Sequence, residues 1–171
     1  MSSIPLEPSP TPTILDWMEM SALGQWVATS PYGYYVMLAF HAVGLAMLVG
    51  SMMVIDLRLL GRLQGIAPKA LVRLSKIPWY GFVINALSGV VLFFSEANKM
   101  FFSATFWSKI FLVFAGVIAL AVMQRTVLRP IAESGAPITT NAKLQAAFSL
   151  AVWTAVIVVG RLIAYLTDVD I

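Results

Sequence analysis

Four stretches of the chain stay apolar for long enough to cross a bilayer, and none shows the alternation of a barrel strand. Residues 34–55 and 77–95 carry no charge, and Asn85 and Gly89 lie in the middle of the second stretch. Residues 106–124 carry one charge, Lys109, and residues 144–167 carry one, Arg161. A helix needs about 20 apolar residues to span the hydrocarbon core. In lipid, the backbone must satisfy its own polar groups, which makes each stretch a helix. The pattern predicts an all-α integral membrane four-helix bundle occupying residues 33–171, with spans at about 34–55, 77–95, 106–124 and 144–167.

Ahead of the first span the pattern changes. Ile14, Leu15, Trp17, Met18, Leu23 and Trp26 are interleaved with polar residues, which predicts a short amphipathic helix lying on the membrane surface. The first 32 residues include Glu7, Asp16 and Glu19 but no Lys or Arg. No secretory signal is expected there, since one needs a basic start followed by an apolar core. Residues 1–32 read as an N-terminal segment on the outer, periplasmic side.

Composition closes off other classes. With 60% hydrophobic and 11% charged residues and a mean hydropathy of +0.87, the inventory cannot cover a water-facing surface. The net charge of +3 gives no nucleic-acid patch, because the basic residues fall in two short loops. The absence of cysteine excludes disulfides, iron–sulfur clusters and thiolate chemistry.

Charge also orients the bundle. Arg58, Arg62, Lys69, Arg73 and Lys76 lie between spans one and two, and Arg125, Arg129 and Lys143 between three and four, which makes eight of the eleven basic residues. The positive-inside rule assigns both loops to the cytoplasm and both termini to the outside. Tyr32, Tyr34, Tyr35, Phe101, Phe102, Phe106 and Trp107 form the expected outer aromatic belt, and Trp79 and Tyr80 mark the inner end of span two.

Ionisable groups within spans are costly and are site candidates by default. Three fall inside these bounds: His41, Lys109 and Arg161. At about 1.5 Å per residue, they lie about 10, 5 and 9 Å below the outer ends of their helices. Three different helices therefore bring them to the outer half, with Glu96 above. His41 has two readings. It is either an axial ligand to haem iron, with Gly44 letting a flat macrocycle approach, or a packed histidine bonded to a neighbouring helix. Lys109 either ligates or snorkels to the headgroups. Arg161 either balances propionate charge or pairs with Glu96. A lone histidine excludes bis-histidine haem within one chain. Met37, His41 and Met47 form a weaker, copper-like set. Asp56 and Arg58 read as interface anchors, with Arg125 as a partner for either.

The segment HAVGLAMLVGSMMVIDLRLLG, residues 41–61, resembles a bacterial membrane family of unknown function with a first-span histidine and an Asp-Leu-Arg-Leu-Leu-Gly ending. The match runs loosely over all four spans, including TFWSKIFLVFAGVIAL at 105–120. The histidine span and the lysine-bearing third span are also similar to HemJ-type protoporphyrinogen oxidases and copper-resistance-D membrane proteins. That resemblance implies b-type haem associated with His41 and Lys109. The chain departs from the HemJ pattern in lacking a second histidine and in carrying Arg161.

The expectation is a haem-b-binding subunit of the bacterial inner membrane that handles electrons near the outer leaflet, between a quinone and a periplasmic redox partner. His41 would be its metal ligand, with Gly44, Lys109 and Arg161 around the cofactor. An electron-transfer or anchor subunit fits better than a stand-alone enzyme. The partners are then the bilayer, a redox partner and a larger complex or further copies of the chain, without nucleic acid. The alternatives are a cofactor-free anchor or assembly subunit and, more weakly, copper-related transport.

Overall fold

The computed structural model describes residues 13–166. The Pro- and Ser-rich start, Thr167 and the tail acids Asp168 and Asp170 lie outside the described residues. Within them, all regular structure is helical. The helices are α1 (Ile14–Met20), α2 (Ala22–Thr29), α3 (Gly33–Leu59), α4 (Pro68–Leu74), α5 (Ile77–Ser95), α6 (Ala97–Phe101), α7 (Ala104–Met123), α8 (Arg129–Ser134) and α9 (Thr140–Leu166). Four helices are long and apolar enough to cross a membrane. The chain is an all-α four-helix bundle.

Local chemistry explains the ends. Thr13 and Asp16 form a capping box: the Thr13 amide donates to Asp16 Oδ2 at 2.7 Å, and the Asp16 amide donates to Thr13 Oγ1 at 3.3 Å. Ser21 ends α1 and caps α2, accepting from the Gly24 amide at 3.1 Å. The single surface helix expected from the pattern is therefore two short ones. Pro68 and Pro78 sit in the first turns of α4 and α5, where a missing N–H costs nothing. A π turn, Gln124–Leu128, follows α7. At its end the Arg129 amide donates to the Gln124 carbonyl, five residues back, and Pro130 beside it has no N–H to donate. Gly135 closes α8 in the left-handed region at φ +64°.

Close backbone packing runs in the order α5–α3–α9–α7. Helices α5 and α7 therefore meet through side chains, such as the stacked rings of Phe93 and Phe106, 5.5 Å apart. Gln124 ties one end of this seam, accepting from Trp79 Nε1 at 3.0 Å and donating to the Ser75 carbonyl at 2.6 Å. The apolar core lies toward that end, built from Leu48, Met52, Ile55, Leu120, Met123 and Trp153. At the opposite end α1 docks on α6: the Asn98 amide donates to Glu19 Oε1 at 2.8 Å, and its side chain donates to Asp16 Oδ1 at 2.9 Å.

Candidate functional site

The α3–α5 contact positions the site. A Cβ on Gly44 would lie 2.5 Å from the Asn85 backbone nitrogen, and one on Gly81 would lie 2.5 Å from that of Leu48. The two backbones touch, as small residues allow in membranes. Gly44 therefore does not open onto a macrocycle, because α5 fills the space beside it. That corrects its assignment as a cofactor contact.

Close approach brings polar groups within reach. Asn85 Nδ2 donates to the His41 carbonyl at 2.8 Å, and His41 Nδ1 lies 2.9 Å from the Asn85 carbonyl. A carbonyl only accepts, so Nδ1 carries the proton and Nε2 keeps its lone pair. Ser88 Oγ is 3.3 Å from the same Nδ1 and donates to the Ile84 carbonyl at 2.7 Å. Gly89 leaves room for the ring: a Cβ there would stand 3.1 Å from His41 Cε1.

Lys109 completes the arrangement from α7. Its Nζ lies 3.3 Å from His41 Nε2, where the bare nitrogen accepts an N–H. Its stem passes Gly160 of α9, whose missing Cβ would meet Lys109 Cε at 3.5 Å. The pair thus joins α3 to α7, which share no extensive backbone packing. Both residues are half-buried.

The other expected residues fare differently. Arg161 is exposed on α9, and its neighbour Gly160 is the residue that faces the Lys109 stem. A Cβ on Gly81 would meet Met47 Cβ at 2.9 Å, so Met47 turns toward α5. Asp56 is a correction: α3 continues to Leu59, and Asp56 is fully buried inside it. Its Oδ2 accepts from Ser149 Oγ of α9 at 2.8 Å. Arg125 is exposed, and Arg58 Nε donates to the Ile66 carbonyl at 2.7 Å. Asn85, Ser88 and Gly89 were legible only as polar or small residues at helical spacing in an otherwise apolar span.

A histidine with one nitrogen fixed by a backbone carbonyl and the other directed at a lysine is a built site, shared by two tightly packed helices and a third. The chain belongs to DUF6644, a family of unknown function whose model matches residues 13–166. That span takes in α1 through α9, so the His41–Asn85–Lys109 arrangement lies wholly within the DUF6644 match. No curated protein and no solved structure matches the chain. Nothing in these comparisons links it to the HemJ-type oxidases or the copper-resistance-D proteins.

Proposed function

We propose that this DUF6644 chain is a b-type haem-binding subunit of a bacterial inner membrane, with both termini outside and its site in the outer half. The observation that carries the reading is the His41 geometry. Nδ1–H is tied to the Asn85 carbonyl, the arrangement that fixes the tautomer and raises the basicity of a ligating imidazole. Nε2 and Lys109 Nζ face each other 3.3 Å apart. His41 would hold the iron of such a group through Nε2, with Lys109 Nζ as the nearest second nitrogen donor.

Helices α5 and α7 are bridged by side chains rather than packed backbone, and the dense core lies away from His41. Haem supplies one-electron chemistry when bound. The chain's own residues orient the imidazole through Asn85 and Ser88, offer Lys109 as second nitrogen donor, and exclude bulk water with the apolar flanks of α5 and α7. Electron exchange with a membrane quinone and a periplasmic redox partner belongs to this reading, supported by the expected outer position of the site. Arg161, exposed on α9, is suited to meet anionic groups at the headgroup level.

A cofactor-free anchor or assembly subunit is the second reading, favoured by one fact: both His41 nitrogens already have partners within the chain. An absorption spectrum separates the two. Protein purified after expression with ample haem supply should show a Soret band that His41→Ala abolishes. A folded wild-type protein without that band overturns the haem reading.

A further inference from the structure

Asp56 stands apart from the site above, on the same helix but more than four turns away. Its side chain is 0% exposed. Oδ2 accepts from Ser149 Oγ at 2.8 Å, while buried Oδ1 meets no hydrogen-bond donor among the described residues. Trp153, 1% exposed, has a buried Nε1–H with no acceptor among them. Ser149 and Trp153 are four residues apart on α9, so they share a face one turn apart, and that face holds Asp56 through Ser149.

The two uncommitted atoms have opposite needs. Oδ1 requires a donor and Nε1–H requires an acceptor, and burial makes each costly to leave unsatisfied. A cation would suit the carboxylate but meet the positive end of the indole N–H. An anion would suit the indole but meet the carboxylate. Water gives one hydrogen and receives another, and buried waters occupy sites that offer two to four such partners. A Cβ on Gly116 of α7 would lie 2.9 Å from Trp153 Cε2, so the indole reaches α7. We infer that Asp56, Ser149 and Trp153 build an internal water site where α3, α9 and α7 meet, with one water accepting from Trp153 Nε1 and donating to Asp56 Oδ1. The site is independent of any cofactor at His41. It places a carboxyl and a water together at the end of the bundle that holds the apolar core, on the same helix as the core residues Met52, Ile55 and Leu59.

The full-length protein, ¹⁵N-labelled at its tryptophan indoles in lipid nanodiscs, tests this. Trp153→Phe assigns the Trp153 indole signal among the five tryptophans. The expected result is a rotating-frame Overhauser cross-peak between the Trp153 indole proton and a long-lived water, lost in Asp56→Leu. Where Asp56→Leu does not fold, Asp56→Asn serves, with a displaced Trp153 indole resonance as the expected change. A wild-type indole without a water cross-peak overturns the inference, whether dry or bonded directly to the carboxylate. So does a water cross-peak that neither Asp56 variant alters.

Discussion

His41 and Asn85 bind each other in opposite senses across α3 and α5: the Asn85 amide donates to the His41 carbonyl at 2.8 Å, and the His41 ring donates to the Asn85 carbonyl at 2.9 Å. The clamp links side chain to backbone in both directions, so neither residue can turn without leaving two polar groups unpaired in an apolar bundle. Interhelical hydrogen bonds in membranes average about 0.6 kcal/mol, with a maximum near 1.7. Asn85→Ala removes one bond and loosens the other. We expect a loss of about 1–2 kcal/mol on that scale, measured by unfolding in mixed detergent micelles.

The same clamp fixes a tautomer. Because His41 is the only histidine, ¹⁵N-imidazole labelling reports on it alone. Nδ1 should carry the proton in the cofactor-free wild-type protein at neutral pH. Asn85→Ala keeps the backbone carbonyl that accepts from Nδ1 and should therefore keep the same tautomer. An Nε2–H signal in the wild type would remove the basis for His41 as an Nε2 ligand.

Lys109 and Arg161 should separate. Lys109→Met removes the donor facing His41 Nε2 and should shift the His41 ring ¹⁵N resonances. Arg161→Gln, at an exposed position, should leave them in place. Equal effects from the two would show that the lysine is not the specific partner.

Glycine positions on α3 give an internal control. Gly44→Ala drives a Cβ to 2.5 Å from the Asn85 backbone and should cost about 1–3 kcal/mol through overpacking. A Cβ on Gly50 meets nothing within 4 Å, so Gly50→Ala should gain about 0.5–1 kcal/mol of helix propensity. Thermal unfolding of both variants checks the opposite signs.

The docking of α1 should respond to acid. The Thr13 amide, then the Thr13 hydroxyl and the Asn98 side chain, hold the Asp16 carboxyl below its ordinary value of 3.8. A group with a depressed folded pKa contributes stability above its unfolded value and loses it as pH falls through the folded value. The contribution should therefore persist at neutral pH and down to about 4, then fade below. Hydrogen exchange at the Asn98 amide against pH reads this in a Glu19→Gln background, and Asp16→Asn should flatten the low-pH response.

The number of spans and the helical class were legible because a bilayer demands long, uncharged, self-satisfied helices, and that demand is written residue by residue. His41 and Lys109 stood out for the same reason, as costly groups in apolar surroundings. Their partners did not. Asn85 becomes the orienting residue only because Gly44 and Gly81 let two backbones touch, which depends on the mutual rotation of α3 and α5. The pattern also ended the first span one residue short of Asp56. The helix runs on to Leu59, and α9 covers the carboxylate with Ser149. Local sequence determined which segments enter the membrane and which groups are expensive there. Tertiary structure alone decided which groups meet, because hydrogen bonds act over about 3 Å and depend on helix rotation and register, which no single span encodes.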